Sequence, residues 1–316
     1  MTMLTASDLK NKAKPALQQK AKAAYLGLAI GDALGATVEF LTPREIKAIH
    51  HTHRTIIGGG WLNLKPGQVT DDTTMSLFLG REILARQRID AVGSANAFDQ
   101  WMRSKPIDIG HTVRRGILHY RRTGKPSSPL SEHDAGNGAC MRVLPVALAT
   151  YGFNQNAIQQ ACQAQAHVTH HNTLSDAGTE CVVAMLHKAL AGASSLDLFN
   201  QQAQDLVASQ PLFKFNGIRI NNPSGYIVPT LQAVFQALFN TETFEDCLID
   251  VVNRGGDADT TGAIAGMIAG ALYGLDSIPN QWLTRLDPHI KTECETQSQQ
   301  LLQLGLKQLA HNGNIT

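Results

Sequence analysis

Two rows of glycine, each with a spacing of four residues, constrain this chain more than any other feature. Gly27, Gly31 and Gly35 lie in YLGLAIGDALGATVEF, and Gly262, Gly266, Gly270 and Gly274 lie in NRGGDADTTGAIAGMIAGALYG. Both stretches have the apolar period of a helix. A glycine inside a helix costs roughly 1 kcal/mol relative to alanine, so a row of them along one face needs a compensating contact, usually the close approach of another backbone. The two rows share a period, and the arrangement we expect is one helix packed face to face on the other. The alternative is that each row meets some other helix. Direct contact would bring Asp32 and Glu39 of the first stretch beside Asp257 and its neighbours in the second.

Helical periodicity dominates the rest of the chain. Apolar residues recur at three and four in Ala21–Thr37, Thr73–Arg86, Ala91–Arg103, Thr112–Arg122, Cys140–Tyr151, Asn154–Ala166, Asp176–Leu190, Ser224–Phe239, Thr243–Val252 and Glu293–Leu309. Strand signals are confined to Arg54–Leu64, read as a short strand or loop, and to the alternation FKFNGIRIN over Phe213–Asn221, read as a small hairpin. No Pro/Gly/Ser linker divides the chain and no repeat of solenoid period is present. The expected fold is therefore all-α, a single-domain helix bundle spanning 1–316.

With 43% hydrophobic and 17% charged residues the chain has ample core, and a net charge of +1 gives it no global attraction to nucleic acid or to an anionic membrane. The cysteines are odd in number, widely separated and without a C-x-x-C pair, which excludes a disulfide framework and a zinc site and fits a reducing cytoplasm. The polar N-terminal stretch has no apolar core before a small-residue cleavage site, so no secretory signal is expected. The longest apolar run, Gly262–Leu275, is too short to span a bilayer, and no stable membrane insertion is expected.

Chemistry concentrates at two helix starts, Thr70-Asp71-Asp72 and Asp257-x-Asp259-Thr260. Any one of these residues alone is best read as an N-cap. Taken together they put more acidic oxygen at two helix starts than capping requires. If the starts converge, four carboxylates share a small volume, which is prohibitive without cations. An all-oxygen donor set favours Mg²⁺ or Mn²⁺, and four carboxylates suit two ions.

Other candidates are weaker one by one. Arg114/Arg121 and Arg115/Arg122 form two adjacent rows on a helix, read first as a solvated basic face and second as a docking surface for an acidic partner. Asp108, before Gly110, is read first as the cap of that helix and second as a site residue. The polar loop Thr123–Gly138 is long for a compact domain. It ends in Gly136-Asn137-Gly138, either a plain turn or a cradle for an anion at a helix start. In HVTHHNTLSDAG, His170 and His171 are either surface residues or ligand contacts. Tyr226 is read as core packing before a nucleobase platform, and Pro229 as a kink.

GDALGATVEF, GQVTDDTTMSLFLGREIL, GNGACMR and NRGGDADTTGAIAGMIAGALYG, in this order, resemble the ADP-ribosylglycohydrolase family, and within it the group acting on dinitrogenase reductase. The resemblance covers roughly 23–273 and leaves the first 20 or so residues poorly covered. It implies an orthogonal all-α bundle, two Mn²⁺ or Mg²⁺ ions per chain, and hydrolysis of the N-glycosidic bond between ADP-ribose and an arginine side chain. By the same resemblance Thr70, Asp71, Asp72, Asp257, Asp259 and Thr260 are metal ligands. Glu39 and Asp108 assist the reaction, Gly136, Asn137 and Gly138 meet the pyrophosphate, and His170 contacts ribose or phosphate. Another ADP-ribosyl linkage, or a non-catalytic ADP-ribose-binding relative, is the alternative function. The resemblance further implies a PII-type signalling protein as a partner and its recruitment of the enzyme to the inner membrane through an ammonium channel.

Overall fold

The structure, a computed structural model, describes residues 6–312, with side chains over 15–310. The described residues form fifteen α-helices and no strands. In chain order these are α1 (Ala6–Gly35), α2 (Pro43–His50), α3 (Asp71–Arg86), α4 (Ala91–Arg103), α5 (His111–Thr123), α6 (Gly138–Met141), α7 (Leu144–Ala149) and α8 (Gln155–Ala166). They continue with α9 (Thr173–Leu190), α10 (Leu196–Ser209), α11 (Ile227–Phe239), α12 (Phe244–Val252), α13 (Ala258–Tyr273), α14 (Asn280–Arg285) and α15 (Pro288–Asn312). No helix among the described residues is long and apolar enough to cross a membrane, and the five cysteines are buried and free.

The expected central contact is present. α1 and α13 form the most extensive helix pair in the molecule, running antiparallel with Gly27 against Gly266, Gly31 against Gly262 and Gly35 against Ala258. A Cβ added at any of these three α1 glycines would fall on the facing carbonyl oxygen, so only glycine allows this approach. α13 is buried from Ala258 to Leu272, and α3, α9, α11, α12 and α15 pack around the pair.

Of the two readings of residues 54–64, strand or loop, the loop holds, because Gly58, Gly59 and Gly60 all take left-handed backbone conformations, leaving a single bridge between Gly59 and Leu64. Three other expectations about local structure fail for identifiable reasons. The 213–221 alternation is an anchored loop: Phe213 and Phe215 are buried, and the Gln236 amide donates to the carbonyls of Phe215 and Ile218. The helix expected over Cys140–Tyr151 breaks at Arg142, since Pro145 has no N–H and its ring clashes with a helical carbonyl four residues earlier. Pro229 kinks nothing, because it lies at the third position of α11, where an N–H would lack an intrahelical acceptor anyway.

Candidate functional site

The glycine contact places the starts of α3 and α13 together. At α3, the N-cap residue Thr70 makes no side-chain capping bond. The capping acceptor comes instead from α1: Asp32 accepts from the backbone N–H groups of Thr70, at 2.9 Å, and Thr73, at 3.1 Å. It also accepts from their hydroxyls at 3.0 and 2.5 Å. Asp71 and Asp72 are thereby freed from capping. At α13, Asp257 is the N-cap residue and also makes no side-chain capping bond. Its approach is set by Gly255 and Gly256, both left-handed at φ 69° and 64°. The chain is tied there by Phe40 N–H to Gly256 O at 2.7 Å and Asp257 N–H to Pro223 O at 2.8 Å. Neither N-cap side chain, Thr70 or Asp257, caps its own helix, while Asp259 Oδ1 accepts from the first-turn N–H of Thr260 at 2.8 Å.

The two starts meet. Thr70 Oγ1 lies 3.3 Å from Asp259 Oδ2, and Thr260 Oγ1 lies 3.3 Å from Asp72 Oδ2. Thr70, Asp71, Asp72, Asp259 and Thr260 are buried. Burial, with Asp108, Asp32 and Asp257 nearby, pushes the Asp71 carboxyl up to about 8. Burial first and neighbouring carboxylates next put Asp72 and Asp259 well above the usual carboxylate range. Burial also raises Asp257, partly offset by the Asn137 amide, which donates to its Oδ2 at 2.6 Å. Asp72 Oδ1 is buried with no hydrogen-bond partner. Divalent cations fit these residues: the donors are all oxygens, one is orphaned, and the carboxylates repel one another without a counter-charge.

Above this floor opens a cleft of about 370 Å³. Glu39, Asp108 and Asp259 converge there, each with a carboxylate oxygen within 4.8 Å of the other two. Glu39 is buried and accepts from the Trp61 indole at 2.6 Å. Burial pushes Glu39 up to about 8, with Asp257 and Asp108 adding to the rise against the lowering by the indole. The cap reading of Asp108 is overturned. Gly110 is the N-cap residue of α5, while Asp108 accepts from the next amide, Ile109, at 2.7 Å and lines the cleft. Burial raises its pKa as well.

The opposite wall holds Gly136, Asn137, Gly138 and His170. A Cβ on either glycine would strike the His170 ring, so the glycines make room for the imidazole. His170 is buried, and its Nδ1 lies 2.7 Å from Thr169 Oγ1. Burial first, then the Arg142 charge, holds its pKa down at about 3, so the ring is neutral. His171 lies outside the cleft: it is stacked on His167 at 3.9 Å between ring centroids, with Nδ1 2.8 Å from Ser128 O. Tyr226 is not core. It is 38% exposed and bridges to Gly136.

Sequence reasoning missed two contributors. Trp61, with Phe40 at a centroid distance of 5.4 Å, builds an exposed aromatic rim, and only its position in a glycine-rich loop hinted at this. Arg142, in GNGACMR, is fully buried with its guanidinium 4.0 Å over the Phe98 ring. An arginine in an otherwise apolar stretch was the available signal.

The comparisons with known proteins agree with this geometry. The ADP-ribosylglycohydrolase family model matches residues 13–310. The ADP-ribosyl-(dinitrogen reductase) glycohydrolase of Rhodospirillum rubrum is 48% identical over 290 residues, covering 92% of this chain and 98% of its own. ADP-ribosylarginine hydrolase Tri1 of Serratia proteamaculans is 32% identical, over 84% of this chain and 75% of its own. A solved structure described as an ADP-ribosylglycohydrolase-related protein complex superposes with a TM-score of 0.82 at 32% identity, over 92% of this chain and 99% of that one. With its acidic helix starts meeting under a cleft and a match that runs nearly end to end, the chain belongs to the ADP-ribosylglycohydrolase family.

Proposed function

We propose that the chain is a metal-dependent hydrolase that removes ADP-ribose from a modified arginine of a target protein, dinitrogenase reductase, reversing mono-ADP-ribosylation. The observation that carries this reading is the meeting of the starts of α3 and α13, which gathers carboxylate and hydroxyl oxygens beneath an open cleft. The target is carried by the likeness to the Rhodospirillum rubrum glycohydrolase.

In this reading Thr70, Asp71, Asp72, Asp257, Asp259 and Thr260 hold two Mn²⁺ or Mg²⁺ ions. When bound, such ions supply charge neutralisation and orient the ribose hydroxyls. The protein's own groups do the rest. Asp108 and Glu39 share the cleft above the ligands and hold or deliver a proton at the departing guanidine nitrogen. Trp61 fixes the Glu39 carboxylate through the indole N–H. Asn137 orients Asp257, its amide donating to that carboxylate and also to Thr230 Oγ1 at 2.9 Å. Gly136 and Gly138 bring backbone and the His170 edge close enough to receive the pyrophosphate. A PII-type signalling protein belongs to the same reading as a regulatory partner, which co-elution with the purified protein would test.

The deciding experiment measures release of ADP-ribose from ADP-ribosylated dinitrogenase reductase with Mn²⁺ present, comparing wild type with Asp257→Ala. We expect release by wild type, and loss of both turnover and bound metal in the variant. Absence of release by metal-loaded wild type would overturn the reading.

A further inference from the structure

α5 is thirteen residues long and carries four arginines and two histidines with no aspartate or glutamate. His111, Arg114, Arg115, Leu118 and Arg122 are exposed along one helical stripe. Two of the arginines are already paired, Arg115 with Asp134 and Arg121 with Asp99. Arg114 and Arg122 make no ion pair among the described residues. The helix dipole favours Arg121 and Arg122 in the last turn, but it does not account for Arg114 and Arg115 toward the N-terminal end. The chain as a whole is nearly neutral, so the face is a local field.

Its position is equally specific. Residues 109–113 line the cleft, so His111 belongs both to the cleft wall and to the exposed stripe. From there to Arg122 the helix runs roughly 16 Å away from the site. The cleft mouth also carries Phe40 and Trp61, aromatic and uncharged, so the start of α5 is the basic part of its rim. A protein whose modified arginine enters the cleft must rest its neighbouring surface on this rim. We infer that the outer face of α5 docks an acidic surface of the protein substrate beside its modified arginine; this rests on the proposed hydrolase activity.

The test compares wild type with Arg114→Glu/Arg122→Glu on two substrates, ADP-ribosylated dinitrogenase reductase and free ADP-ribosylarginine. Charge reversal is expected to lower kcat/KM on the protein about tenfold, in the range of electrostatically steered association, while the free compound changes less than about twofold, and added salt should narrow the difference. Equal loss on both substrates, or none on either, would overturn the docking surface. Failure of wild type to cleave either substrate would instead remove the hydrolase reading.

Behind the cleft, His170 is set by a chain of donors. Arg142 Nη2 donates to Thr169 Oγ1 at 2.8 Å, and arginine has no acceptor to offer in return. The Thr169 hydroxyl proton has one acceptor in reach, His170 Nδ1 at 2.7 Å. With Nδ1 accepting, the proton of the neutral ring sits on Nε2, the edge that packs between Gly136 and Gly138. We propose that Arg142 and Thr169 are positioning residues that present His170 Nε2–H as a donor to an anionic oxygen of the substrate.

Histidine-ring ¹⁵N NMR of the Mg²⁺-loaded protein reads the tautomer directly, whatever the substrate. Wild type and Thr169→Ser are expected to carry the ring proton on Nε2, and Thr169→Val to lose that preference. KM should rise about tenfold in Thr169→Val, with kcat changed less, and recover in Thr169→Ser. A wild-type ring protonated on Nδ1, or a Thr169→Val ring unchanged, would overturn the relay.

Discussion

The starts of α3 and α13 offer the same kind of ligands and are built in opposite ways. At α3 a side chain from another helix does the work: Asp32 takes two backbone N–H groups and two hydroxyls. At α13 the backbone does it, through two left-handed glycines and bonds to Pro223 and Phe40, with the Asn137 amide tied to the Asp257 carboxylate from outside the helix. One half of the site thus depends on a single carboxylate, which burial raises to about 6 despite its four donors. The other half depends on chain geometry that no single side chain controls. The α3 half is therefore the more easily disabled by a substitution that leaves the fold intact.

The contrast can be broken outright at the element both halves share. Gly31→Ala places a methyl on the Gly262 carbonyl, which cannot move without separating α1 from α13; we expect a loss of about 3 kcal/mol by denaturant unfolding, at the upper end for overpacking. Removing the cations tests both halves together. Chelation should lower stability by about 2.7 kcal/mol if the ions were present at a hundred times their dissociation constant, read as a fall in Tm that added Mn²⁺ reverses. Asp32→Asn separates the halves, weakening the α3 clamp while leaving α13 untouched. Its metal affinity should drop up to about a hundredfold in calorimetric titration with Mn²⁺. Asn137→Ala, acting on the backbone-held half, should cost only about tenfold in the same titration. A larger loss from Asn137→Ala than from Asp32→Asn would reverse the comparison.

Much of this was legible in the sequence because it rests on periodicity and on residue type. The glycine rows specified both partners of the central pair, and the two acid-rich starts specified what that pair brings together. Helix ends written in capping chemistry were also readable and went unread: Thr42-Pro43-Arg44-Glu45 closes a full capping box at the start of α2, and Ser195 caps α10. Asp108 was illegible for a physical reason. Its place three residues before a helix suggests a cap, and only the fold reveals that Gly110 holds the N-cap position and that Asp108 faces Glu39. Asp32 was placed near the site, but its grip on α3 joins residues 38 and 41 positions apart, which no local pattern encodes.

The glycine rows have a property that their close fit conceals. Because both repeat every four residues, sliding α1 along α13 by one glycine period, roughly 6 Å, would again set glycine against glycine, much as a rack meshes at any tooth. Register has to come from the ends. At one end the Lys20 ammonium closes on the carbonyls of Ala271 and Leu272; at the other Phe40 N–H meets Gly256 O and Asp32 grips the start of α3. The residues around the cleft are thus also the stop that selects one tooth of the rack, and a chain that assembles its site has, in the same act, chosen how its two central helices mesh.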